Sequence, residues 1–169
     1  MQKAESFMQA MIADAAAMGG AANGAVEPDV VTYSTLISAH AKAGNVPGAE
    51  AWLQALLDRG LKPNHVTYST VISACSRGGD VRGASKWLEK MLNDPEVKPN
   101  VVSFNSAIQA AAKAGDLAVA DRHFRRLLAD GLGPDSFTYA ALLLACFRCR
   151  PRQPERAKHY FGDMIARRS

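Results

Sequence analysis

Residues Val30 to Asn64 read VVTYSTLISAHAKAGNVPGAEAWLQALLDRGLKPN, and this stretch recurs. HVTYSTVISACSRGGDVRGASKWLEKMLNDPEVKPN follows from His65 to Asn100, and VVSFNSAIQAAAKAGDLAVADRHFRRLLADGLGPD from Val101 to Asp135. A degraded copy begins at Ser136. The aromatic anchors Tyr33, Tyr68, Phe104 and Tyr139 are spaced by 35, 36 and 35 residues. A period of this length predicts a solenoid, in which each unit buries its apolar face against its neighbours.

Each unit reads as two helices. In the first, the helix over Val31 to Ala43 is capped by Asp29 and stopped by Gly44, and the helix from Asn45 to Arg59 is stopped by Gly60. Asn45 caps the second helix, and Pro47 is tolerated in its first turn. Tyr33, Leu36, Ile37 and His40 fall at i, i+3, i+4 and i+7, as do Ala49, Trp52, Leu53 and Leu56, and each set predicts a buried stripe. The turn returns as Gly79-Asp80 and Gly115-Asp116, then gives way to Arg150-Pro151-Arg152-Gln153-Pro154, after which Tyr160, Phe161 and Met164 take the second helix's core places.

Upstream, Ala4, Phe7, Met8 and Met11 predict a helix over Met1 to Met18 that matches the second helix of a unit, so the chain is expected to open in mid-repeat. Gly19 to Val26 is expected to be a connector. The predicted organisation is a partial unit at 1–29, units at 30–64, 65–100 and 101–135, and a degenerate unit at 136–169. That makes roughly nine helices.

Composition bounds the function. A 48% hydrophobic content suffices for a core, and no stretch approaches the ~20 apolar residues that span a bilayer. Cys75, Cys146 and Cys149 are too few for a disulfide framework. Of the net charge of +4, the segment Arg148 to Ser169 alone carries seven Lys/Arg against two Asp/Glu, so overall basicity is a property of the tail. Glu5, Asp14 and the lack of nearby Arg argue against a transit peptide.

With the second helix committed to packing, the solvent face of the first is the candidate binding face. Four positions recur on it. The second residue of each unit is Val31, Val66, Val102 or Phe137; the fifth is Ser34, Ser69, Asn105 or Ala140. The thirteenth is Lys42, Arg77, Lys113 or Arg148; the last is Asn64, Asn100 or Asp135. Fifth and thirteenth lie roughly 80° apart around a helix and ~12 Å along it, so they can share a face. A single-stranded nucleic acid presents one phosphate and one base per step. A cation per unit can neutralise phosphates, a polar pair can bond a base edge, and a branched apolar residue can pack on its flat face. Each row also has a packing explanation: Asn and Asp are preferred N-caps, a cation in a helix's last turn complements its dipole, and valines fill cores.

The segments VTYSTLISAHAKAG, VTYSTVISACSRGG and VSFNSAIQAAAKAG, with the closing LKPN, VKPN and GPD, resemble pentatricopeptide repeats, the 35-residue helical-hairpin family of organellar RNA-binding proteins. The resemblance implies an all-α fold, a right-handed α-solenoid of stacked antiparallel helix pairs. It implies that the fifth and last residues of a repeat select one base and that the second residue sandwiches it. Ser34 with Asn64, and Ser69 with Asn100, resemble adenine-preferring pairs; Asn105 with Asp135 resembles a uracil-preferring pair. The implied preference is 5′-AAU-3′, with no base predicted for the unit of Ala140. The implied partner is single-stranded RNA, bound by a monomer in a chloroplast or mitochondrion in RNA processing, stability or translation, with no cofactor and no membrane. A protein-interaction scaffold in an organellar complex is the rival expectation.

No catalytic constellation is evident. Cys146 and Cys149 form a CxxC without a second ligand pair, so no metal site is expected there. His40, His65, His123 and His159 are scattered. No enzyme is expected of this stretch, and a catalytic domain would lie outside it.

Overall fold

The computed structural model describes Ser6, Ala10 and residues 28–167. Ser6 and Ala10 are helical; the remainder of the helix expected over Met1 to Met18, and the connector Gly19 to Val26, lie outside the described residues. From Pro28 onward eight helices follow, and no strand occurs among the described residues. They are α1 (Val30–Lys42), α2 (Val46–Asp58), α3 (His65–Gly78), α4 (Val81–Leu92), α5 (Val101–Ala114), α6 (Leu117–Ala129), α7 (Ser136–Arg148) and α8 (Pro154–Ala166). No described helix is long and apolar enough to cross a membrane.

The helix starts obey the expected chemistry. Asp29 accepts the Thr32 N–H at 2.8 Å, Asn45 the Gly48 N–H at 3.0 Å, Asp80 the Gly83 N–H at 2.9 Å and Asp116 the Val119 N–H at 3.0 Å. Each satisfies a donor that the first turn would otherwise leave unpaired. Gly44 and Gly60 take the left-handed conformation predicted for the stops.

The chain divides into two compact units, Met1–Val71 and Ile72–Ser169, with the division inside α3. In the first, α1 packs on α2. Tyr33, Leu36, Ile37 and His40 are buried as predicted, as are Ala49, Leu53 and Leu56. Trp52 departs from expectation: it is half-buried, its ring meeting Tyr33 edge-on at 5.9 Å. It packs against the Tyr33, Leu36 and Leu56 cluster as a partly buried side chain and is not enclosed by it.

In the second unit α5 packs on α4, α6 and α7, and α7 on α8. Trp87, Phe104, Ile108, Leu127 and Leu142 are fully buried. Phe124 receives Tyr139 and Tyr160 edge-on, with ring centroids 5.9 and 5.8 Å away. Both hydroxyls reach carboxylates: Tyr139 Oη donates to Asp163 at 2.6 Å and Tyr160 Oη to Asp121 at 2.5 Å. Phe161, assigned to the core by its spacing, is instead 51% exposed. Its equivalent Phe124 is covered by the following helix pair, and no described helix lies over the outer face of α7 and α8.

One turn fixes a close approach. Gly115 ends α5 at φ 73°, and a Cβ placed on it would meet the Arg148 backbone carbonyl at 2.9 Å. The carboxyl ends of α5 and α7 therefore sit backbone to backbone, which only glycine permits.

Candidate nucleic-acid interface

The second-position residues stand on the solvent face of the first helix in each pair as predicted, whereas Asn105 of the fifth row, expected on that face, is buried where it packs against Asp135 and Thr138. In the first unit, Val31, Ser34, Lys42 and Asn64 line a single open cleft of about 530 Å³ along α1. The second, fifth, thirteenth and last residues of one repeat are thus brought together. The second-position side chains are exposed throughout: Val31 70%, Val66 55%, Val102 60% and Phe137 44%. Packing does not account for this row, since β-branched and aromatic side chains on a helix are normally placed to bury their surface.

The polar pairs are held by a residue that the sequence reading passed over, the third of each unit. Thr32, Thr67, Ser103 and Thr138 recur in VTYS, VTYS, VSFN and FTYA, and that recurrence was the available signal. Asn64 Oδ1 accepts both the backbone N–H and the hydroxyl of Thr67 at 3.0 Å, and Thr67 Oγ1 lies 2.9 Å from Ser34 Oγ. In the second unit Asp135 Oδ1 accepts the Thr138 N–H at 2.8 Å, and Thr138 Oγ1 lies 2.6 Å from Asn105 Oδ1. Asn105 Nδ2 donates to both Asp135 oxygens at 3.0 and 3.1 Å. Asn105 is only 6% exposed, so its amide is firmly oriented. Burial pushes the Asp135 carboxyl up, but hydrogen bonds from Thr138 and Asn105 outweigh it and hold it below the usual carboxylate range.

Asn100 caps α5 by accepting the Ser103 N–H at 3.0 Å. The repeat-end residues are therefore N-caps, as the packing explanation held, and their side chains also stand beside the fifth residues wherever both fall in one unit. Ser69 Oγ is buried without a hydrogen-bond partner among the described residues. Ala140 is exposed and offers no polar group.

The cations diverge. Lys42 is exposed on the cleft and forms no hydrogen bond or ion pair among the described residues. Arg77 bonds Ser73 Oγ at 3.2 Å within its own helix. Lys113 Nζ donates to the Ser76 carbonyl at 3.0 Å, and Arg148 Nη1 to the Lys113 carbonyl at 2.8 Å. Each of these two places a charge on the carbonyl end of the preceding repeat's first helix, where the dipole favours it.

Both cysteines of the CxxC pair are buried. Cys149 Sγ lies within hydrogen-bonding reach of the Cys146 and Pro151 carbonyls at 3.2 and 3.3 Å. Burial, then the proximity of Cys149, pushes the Cys146 thiol up.

Models of the PPR repeat family match residues 28–77 and 99–148, and a PPR repeat model matches 66–94. No match is found among curated proteins. Among solved structures, the pentatricopeptide repeat protein PPR10 from maize superposes with a TM-score of 0.74 at 25% identity, over 92% of this chain and 21% of that one. PPR10 in complex with an 18-nt psaJ RNA element gives 0.68 at 25% identity, over 92% and 22%. The PPR domain of Arabidopsis thaliana protein-only RNase P 1, in complex with tRNA, gives 0.73 at 14% identity over 99% and 88%, a likeness of fold. The chain thus spans about a fifth of the PPR10 chains it resembles. The repeats at the 35-residue period, their paired helices and these matches are of one piece: the chain belongs to the pentatricopeptide repeat family, an all-α helical-repeat solenoid.

Proposed function

We propose that this chain binds single-stranded RNA, taking one base per repeat, with Ser34 and Asn64, Ser69 and Asn100, and Asn105 and Asp135 selecting bases in a 5′-AAU-3′ preference. Val31, Val66, Val102 and Phe137 sandwich them. The observation that carries this reading is the cleft on α1, where one repeat's apolar, polar and cationic positions converge. The exposure of all four second-position side chains fits it. Flat bases stacking on apolar side chains contribute affinity without sequence preference, and the polar pair adds the preference. PPR10, similar to this chain, has been solved with an 18-nt RNA element, which supports RNA as the ligand here.

Lys42 is the cation best placed for a phosphate, since its charge is uncommitted among the described residues. Arg77, Lys113 and Arg148 contribute charge, Lys113 and Arg148 while also bonding the carbonyl ends of neighbouring helices. The binding serves RNA processing, stability or translation in an organelle. Replacement of Asn105 or Asp135 shifts base preference at one step, whereas Lys42→Ala, Arg77→Ala and Lys113→Ala weaken all sequences alike. RNA binding by anisotropy decides: equal loss for every sequence from all five changes refutes base reading.

A further inference from the structure

The hydroxyl of the third residue in a repeat has one proton, and where that proton goes fixes what the neighbouring pair can offer a ligand. Asn64 Oδ1 carries no hydrogen, so its 3.0 Å bond to Thr67 Oγ1 exists only with the Thr67 proton on it. Thr67 Oγ1 is then an acceptor toward Ser34, and the 2.9 Å contact between the two hydroxyls is made with the Ser34 proton. Ser34 is left with lone pairs alone to present to the cleft. Asn64, its oxygen occupied, is left with its Nδ2 amino group. The first repeat therefore offers an acceptor at the fifth position and a donor at the last.

The third repeat has the opposite sense. The Thr138 hydroxyl faces two proton-free acceptors, Asn105 Oδ1 at 2.6 Å and Asp135 Oδ1 at 2.9 Å, and the shorter contact takes the proton. Asn105 Oδ1 is thereby occupied; of the two Nδ2 protons one bridges the Asp135 oxygens, and the second remains as donor. Asp135, held ionised by its hydrogen bonds, can only accept. Here the fifth position donates and the last accepts. Two repeats built on the same backbone thus present opposite donor–acceptor order, and in each the threonine of the following repeat closes the network.

We propose that Thr67 and Thr138 are positioning residues for base selection: each sets the hydrogen-bonding polarity of the pair in the repeat before it. This rests on the base-reading function proposed above. An adenine edge offers an exocyclic N–H beside a ring nitrogen acceptor, which suits an acceptor at Ser34 and a donor at Asn64. A uracil edge offers a ring N–H beside a carbonyl, which suits a donor at Asn105 and an acceptor at Asp135. Without the Thr67 hydroxyl, the Ser34 hydroxyl loses its fixed acceptor and turns freely, able to donate or accept. Discrimination at that base then relaxes, while the cap survives because the residue 67 backbone N–H still reaches Asn64 Oδ1.

The test compares Thr67→Val, which keeps shape and removes the hydroxyl, with Thr67→Ser, which keeps the hydroxyl. RNAs differing only at the first base (A, G, C or U), and others differing only at the third, are titrated against each variant. Thr67→Val is expected to lower the preference for A at the first base by about fivefold or more and to leave the third base unaffected, while Thr67→Ser retains wild-type selectivity. Thr138→Val and Thr138→Ser show the same contrast at the third base only. Unchanged selectivity in both valine variants, with selective wild type, overturns the positioning role and leaves base reading standing. A wild type that binds every base alike overturns both. A loss shared equally by all bases, or not rescued by serine, assigns the threonines to folding and also overturns the proposal. Far-UV circular dichroism and urea midpoints of the four variants separate that last case from a protein that has unfolded.

Discussion

Replacing Asp135 with alanine tests whether the pair at the third repeat is a joined unit or two neighbouring side chains. Asp135 does two things: it caps α7 through the Thr138 N–H, and it receives Asn105 Nδ2. Loss of an N-cap costs about 1 kcal/mol. Loss of the acceptor orphans a donor on a side chain that is 6% exposed, which costs about 1–3 kcal/mol more. The sum is about 2–4 kcal/mol. Asp29→Ala supplies the control, because Asp29 is exposed and, among the described residues, its carboxylate bonds only the backbone N–H and hydroxyl of Thr32. Its loss is expected to cost about 1 kcal/mol. Urea denaturation followed by circular dichroism gives both values, and the double variant Asn105→Ala/Asp135→Ala recovers the orphaning cost. Equal effects of Asp29→Ala and Asp135→Ala, or strict additivity with Asn105→Ala, refute the reasoning.

Other consequences can be read by similar means. Tyr33 Oη is buried without a partner among the described residues, Ala55 occupying in α2 the place that Asp163 holds in α8. Tyr33→Phe is therefore expected to stabilise by about 1 kcal/mol and Tyr139→Phe, which forfeits the bond to Asp163, to destabilise by about 1–2 kcal/mol, both from urea midpoints. Gly115→Ala must adopt a positive φ and also displace the Arg148 carbonyl, at a cost of at least about 2 kcal/mol, whereas Gly131→Ala, with open space around it, costs about 1 kcal/mol. Burial, then Arg122, lowers the His123 pKa from 6.5 to about 4, so the folded state keeps it neutral beside Ser85 Oγ. Stability from this group is complete above pH 6.5 and falls toward pH 4, at up to about 1.4 kcal/mol per pH unit; His123→Gln flattens that slope in pH-dependent denaturation.

The fold was legible because its determinants are local and repeated. The spacing of Tyr33, Tyr68, Phe104 and Tyr139, and the caps at Asp29, Asn45, Asp80 and Asp116, depend on neighbours within a turn, and the structure places them as read. The rows of the candidate interface were equally visible, since an exposed face repeated at a fixed period is still a pattern in sequence. What escaped were bonds between repeats. The thirteenth-row cations Lys113 and Arg148 look alike in sequence to Lys42, but they reach carbonyls 37 and 35 residues away, contacts set by stacking. Thr67 and Thr138 read as ordinary residues of a helix's first turn, and only three-dimensional proximity shows them joining a last residue to the fifth of the same repeat. Phe161 has core spacing, yet exposure is decided by what lies over it.

The most direct measurement is fluorescence anisotropy of this chain with single-stranded RNAs carrying AAU, a scrambled triplet or poly-C, across a salt series. Preference for AAU that persists with a modest salt slope is the predicted result, because hydrogen bonds to base edges carry the discrimination. Equal binding to all three that collapses with salt would contradict base reading and reduce the interface to its cations.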